Sequence, residues 1–138
     1  MTATVMDLLK ETLADQLPDR IITRDFLPMA QRSNTDLAKG VYTLLCKSEG
    51  EYQQVVGREA QGGRLKVLLL VQLKVGEKDP GSTVEDAEFA VIEEIKNLVR
   101  GPLPDELLNL WLMGVNHSGQ LEKPFGWIAA DLELSLYD

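Results

Sequence analysis

Asp131 and Glu133 are the two residues of this chain whose spacing comes closest to chemistry. In the stretch WIAADLELSLYD they share one face of an extended strand, because side chains alternate across a strand. Carboxylates at that separation can serve as an acid–base pair. Such work also needs an apolar pocket to raise one pKa, and no pocket-forming pattern surrounds them. The expectation is therefore a strand face that is solvated or paired with lysine. Glu93–Glu94 and Asp105–Glu106 are further acid pairs, but adjacent acids on a helix point in different directions.

The other reactive residue types are scarce. His117 is the only histidine, which excludes paired-histidine metal motifs, and its place before Gly119 reads as a turn. Cys46 is the only cysteine, so no internal disulfide forms and a reducing compartment is expected. It lies mid-strand on the face of Tyr42 and Leu44, where a small buried residue is expected. GREAQGG lacks the Lys-Ser/Thr of a phosphate loop, and DPGSTVED lacks the alternating ligands of a calcium loop. No metal-ligand set, cofactor fingerprint or nucleophile elbow emerges. The reading is a non-enzyme without cofactor.

Charge narrows the class further. A net charge of −8 over 138 residues argues against sequence-specific nucleic-acid binding, which needs clustered Lys and Arg. The opening MTATVMDLLKETLADQL is acidic early and lacks a signal-peptide core. The longest apolar run, VLLLV at 67–71, is far short of the roughly 20 residues of a membrane helix. A cytosolic protein with no membrane partner is expected, most simply one domain over residues 1–138.

The elements that would position these residues follow from periodicity. Val5, Met6, Leu9, Leu13 and Leu17 recur at helical spacing, and that helix should stop before Pro18. A short strand is expected around 20–27, then a polar, mobile loop from Gln31 to Lys39. GVYTLLCKSEGEYQQVVG reads as two strands about a turn at Ser48–Glu51, and RLKVLLLVQLKV as the third strand of a meander. Leu65, Val67, Leu69, Val71, Leu73 and Val75 form its unbroken apolar face. Ser82 and Glu85 look like a capping box opening a helix that Gly101–Pro102 ends. Val84, Ala87, Val91, Ile95 and Leu98, flanked by Ile92 and Val99, are its buried stripe; Glu85, Asp86, Glu93, Glu94 and Lys96 are its wet face. A helical turn at 104–108, a strand at 109–116 and the last strand complete the order. The expected fold is α+β: a mainly antiparallel sheet, a three-strand meander plus a C-terminal hairpin, packed against two helices.

Charges suggest how the strands pair. Arg64, Lys66 and Lys74 line the second face of the third strand, and Asp131 and Glu133 that of the last. Opposite charges across an antiparallel pair contribute ~0.2–1 kcal/mol each, so these strands are expected to be neighbours. Between the charges lie Leu68 and Leu70, with Trp127 and Tyr137 on the last strand. An apolar centre with a charged margin is the composition of a protein contact. The alternative cover is the chain's own first helix or its 20–39 segment.

This layout resembles the tail terminator proteins of long-tailed phages, the minor tail protein U type. The resemblance rests on the order helix, meander, acid-rich helix and hairpin. It also rests on the closing Trp127, Ala129, Ala130, Asp131 and Leu132, and on NLWLMGVNHSG as an apolar lead into a glycine turn. It implies a structural homo-oligomer: a hexameric ring that halts tube polymerisation, with the tail tube protein and a head-completion protein as partners. Its place would be the host cytoplasm and the virion tail. Subunit or partner contacts are expected at two turns and the last strand: Lys78 and Asp79 in 76–81, His117 and Phe125 around 116–126, and Trp127, Asp131, Glu133 and Tyr137. The polar 31–39 stretch and the GQLEKPFG loop depart from the family pattern. Two other readings stay open: a different phage tail or contractile-injection tube or completion component, and a cytosolic ligand-binding or enzyme domain.

Overall fold

Residues 64–74, apolar on alternate positions, sit at the centre of the molecule. The computed structural model describes residues 2–55 and 59–136. Strand β5 (Arg64–Lys74) is flanked antiparallel by β2 (Val41–Gly50) and by β7 (Phe125–Ser135). Strand β6 (Trp111–His117) pairs outside β7, and β1 (Ile21–Thr23) runs parallel to β2 on the far edge. The five-stranded order is β1-β2-β5-β7-β6. The fold is thus α+β with a mostly antiparallel sheet.

Alternation creates the core. Leu65, Val67, Leu69 and Val71 of β5 meet Ile128, Ala130, Leu132 and Leu134 of β7, beside Tyr42 and Leu44 of β2. Helix α1 (Thr2–Gln16) brings Met6, Leu9 and Leu13 to this cluster, and α3 (Gly81–Arg100) brings Val91, Ile92, Ile95 and Leu98. Each such side chain contributes ~1.5–3 kcal/mol when fully buried, so this one cluster holds both helices to the sheet.

Several expectations are corrected. The meander is one: β2 continues through the anticipated turn to Gly50 and pairs directly with β5. The expected second strand instead supplies β3 (Gln53–Val55), which pairs with β4 (Glu59–Gln61) in a separate two-stranded ribbon. The 31–39 stretch is no loop. After a 3-10 turn at Met29–Gln31 it forms a third helix, α2 (Asn34–Lys39). Ser33 Oγ accepts the Asp36 N–H at 3.1 Å, capping its first turn. Leu37 is its one buried residue, which is why no apolar stripe announced it.

The capping box does not form. Helix α3 starts at Gly81 behind Pro80, so Ser82 lies inside the first turn. Glu85 turns away to accept from Gln120 Nε2 at 2.6 Å. Cys46 is exposed, contrary to expectation. It sits where the β2 register shifts between Cys46 and Ser48, and alternation fixes a face only while the ladder is regular.

Glu94 also leaves the wet face assigned to it. Its carboxylate takes Arg20 Nη2 at 2.9 Å and the Tyr42 hydroxyl, while Arg20 Nη1 donates to the Lys39 carbonyl at 2.8 Å. One guanidinium therefore ties the chain after α1 to α3, to β2 and to the end of α2. The outer face of the sheet is partly covered by the chain's own 24–33 segment. Gln72 Nε2 donates to the Leu27 carbonyl at 3.0 Å, and Arg32 Nε donates to Gln72 Oε1 at 3.3 Å. Thr43 and Gln72 are buried beneath it, whereas Leu68, Leu70 and Trp127 stay half-exposed.

Candidate functional site

The pairing of β5 with β7 makes these strands neighbours and sets Lys66 opposite Glu133, as the charge pattern anticipated, whereas Asp131 lies opposite Leu68. Glu133 is bridged by Arg64 at 3.6 Å and Lys66 at 3.7 Å, and Asp131 by Lys47 of β2 at 3.3 Å. These are cross-strand pairs of modest strength, about 0–1 kcal/mol each. Lys74 departs from the expectation. It lies opposite Phe125, 5.5 Å from the ring centroid, and pairs with Glu77 at 3.4 Å. Asp131 and Glu133 thus form a charge-balanced strand face.

At the other end of the same strands, the two turns expected to make contacts come together. The Val75 N–H donates to the Pro124 carbonyl at 3.0 Å, joining the turn before α3 to the turn before β7. Asp79 closes its own turn by accepting the Gly76 N–H at 2.9 Å, and Lys78 is exposed beside it. Phe125 is half-buried under Lys74. His117 faces the opposite side of the sheet from Trp127, towards α3, so the expected contact residues do not form one surface. Tyr137 lies outside the described residues.

His117 faces a residue that the sequence reading passed over. Glu88 of α3 is 0% exposed. Its Oε2 accepts from Ser118 Oγ at 2.5 Å and from the Trp127 N–H at 3.1 Å. Its Oε1 has no hydrogen-bond partner among the described residues, and His117 Nδ1 stands 3.5 Å away. The imidazole also meets Phe89 edge-on, with ring centroids 5.6 Å apart. The signal was present: Glu88 falls four residues after Val84 and three before Val91, on the apolar stripe itself. An acid on such a stripe needs partners at the far end of its side chain. Here they are the ends of β6 and β7. The Ser118 hydroxyl is buried and donates to the carboxylate, so the cluster holds a hairpin on a helix and offers substrate no open nucleophile.

The outer edge of β6 carries open apolar surface. Trp111 and Met113 are each 54% exposed, in a strand that pairs on one side only. Between β6 and the last turns of α3 runs an open groove of about 420 Å³, lined by Val99, Leu112, Trp111 and Met113 and rimmed by Lys96 and Arg100. The Arg64 guanidinium lies 5.2 Å from the Trp111 ring centroid, a cation–π contact that steadies the indole on the outer face. An unpaired strand edge with exposed aromatic and thioether side chains is a ready template for another chain.

No family model matches the chain, and no curated protein matches it. Among the described residues, no cluster of three or more His, Cys, Asp or Glu could hold a metal ion, and no helix is long and apolar enough to cross a membrane.

Proposed function

We propose that this chain is a structural assembly protein, a tail terminator of a long-tailed phage that closes the end of the tail tube as a ring. The observation that carries the reading is the open β6 edge, with exposed Trp111 and Met113 beside an apolar groove. Large apolar side chains on an unprotected edge are a liability in an isolated subunit and an asset in an assembly. The α+β sheet and the order of helix, strands, long helix and closing hairpin fit the terminator layout. In this role the protein performs no reaction. Its work is to bind its own copies, the last layer of tail tube protein and a head-completion protein.

Two measurements test this. Native mass across a concentration series should show a discrete species of ring size, hexameric on the family expectation. Added to polymerising tail tube protein, that species should sit at tube ends and arrest growth. A strict monomer that leaves elongation untouched would sink the proposal.

A further inference from the structure

We infer that His117 and Glu88 form a proton-operated latch between the β6–β7 turn and α3. It closes when the imidazole is charged and loosens when the imidazole is neutral. The device is independent of how copies of the chain assemble.

Glu88 stands where the hairpin opens into its turn. The Ser118 N–H still donates to the Trp127 carbonyl at 3.1 Å. The Trp127 N–H finds no strand partner and donates to Glu88 Oε2, also at 3.1 Å. With the Ser118 hydroxyl on the same oxygen, that half of the carboxylate is fully engaged. The other half is bare: Oε1 is buried and has no hydrogen-bond partner among the described residues. A buried carboxylate oxygen left without a donor is costly, and a charged donor relieves that cost best.

Among the described residues, only His117 is placed to supply that donor. Its Nδ1 lies 3.5 Å from Oε1, long for a hydrogen bond but within ion-pair range. The side chain is 36% exposed, so the ring exchanges protons with water, and Phe89 meets it edge-on and limits its swing. No rival charge intervenes. Glu85, one turn earlier on α3, accepts from Gln120 of the turn. Glu122 and Lys123 of the same turn are exposed and pair with neither His117 nor Glu88 among the described residues. On β7 the residue opposite His117 is the apolar Ile128. Drawn in by about 0.7 Å, a protonated ring makes a charge-assisted bond of ordinary length to Oε1.

The ion pair needs the fold and a charged ring together. Its stabilisation is therefore present below the ordinary histidine range, near pH ~6.5, and is lost as pH rises through it. The same turn meets residues 76–81 through the hydrogen bond from the Val75 N–H to the Pro124 carbonyl, so closure stiffens that whole end of the sheet.

Histidine is the side-chain type that ordinarily titrates between about pH 6 and 8, and this chain has one. Urea denaturation of the wild type and of His117→Gln at those two pH values therefore isolates the latch. The wild type should be the more stable at the lower pH, and the gap between the two midpoints should shrink at the higher one. In the wild type alone, amide exchange at Trp127, corrected for its intrinsic pH dependence, should be about threefold slower at the lower pH. Glu88→Gln, which keeps the shape of the side chain and removes its charge, should abolish both responses. A midpoint gap that stays constant, or widens at the higher pH, overturns the latch and leaves His117 a packing contact. Exchange at Trp127 that fails to slow on acidification overturns it even if neither variant folds.

Discussion

Gly126 shows how little room separates α3 from β7. A Cβ at this position would lie 2.7 Å from Glu88 Oε2, 2.8 Å from Val84 Cγ1 and 2.9 Å from Leu73 Cδ1. The missing side chain is what allows a buried carboxylate to reach the Trp127 N–H and the Ser118 hydroxyl. Gly126→Ala should therefore destabilise by about 1–3 kcal/mol, the usual effect of overpacking, and urea denaturation should show it as a lower midpoint with an unchanged slope. A neutral result would mean that α3 can shift without cost. The positions of Val84 and Val91 were legible from helical period alone. So was the place of Glu88 on the same stripe, but its partners were not, because they lie 30 to 39 residues further along the chain.

At the scale of elements, Arg20, Tyr42 and Glu94 form the junction between α1, α2, β2 and α3. The Tyr42 pKa lies above the ordinary phenol value, first because the ring is buried and then because its hydroxyl donates to Glu94. Arg20 is also held above its ordinary value: burial opposes its charge, but the Glu94 hydrogen bond and the charges of Tyr42 and Glu94 outweigh that. The native state thus retains the Tyr42 proton where the unfolded chain has released it. This contribution is complete below the unfolded phenol pKa of about 10 and is lost as pH rises beyond it. Tyr42→Phe should cost about 0.5–1.5 kcal/mol at neutral pH, where only the hydrogen bond is lost. Above pH ~10 the wild-type curve should fall towards that of the variant by up to about 1.4 kcal/mol per pH unit. Parallel stability–pH curves above that point would contradict this account of the junction. The same scale explains the hidden helix at 34–39. Ser33 caps its start and Gly40 its end, but a helix of six residues that buries only Leu37 leaves no periodic trace.

For the whole molecule, the sheet is covered by α1 and α3 on one face, partly by the chain's own 24–33 segment on the other, and open at both edges. Trp111 is half-exposed on the β6 edge, while Trp127 is partly covered. If copies meet through this edge, raising the protein concentration should blue-shift the tryptophan emission as Trp111 leaves water. The shift should disappear in Trp111→Phe, which keeps an aromatic ring but removes the reporter. An emission spectrum independent of concentration, in a sample whose mass shows assembly, would place Trp111 outside the contact.

What this sequence determines by itself is the inward face of each regular element. A period of two in residues 64–75 and 126–136, and a period near 3.6 in residues 84–99, reflect local backbone geometry and are readable wherever that geometry is unbroken. The cross-strand charges were readable for the same reason, and Lys66 does oppose Glu133. Tertiary structure alone decided the neighbours of the remaining strands, the pairing of residues 53–55 with 59–61 in their own ribbon, the exposure of Cys46 and the partners of Glu88. Those outcomes depend on contacts between distant segments and on bulges that shift register, and neither leaves a local period. The two open edges belong with them: an edge is defined by the absence of a neighbour, which becomes visible only once the sheet order is known.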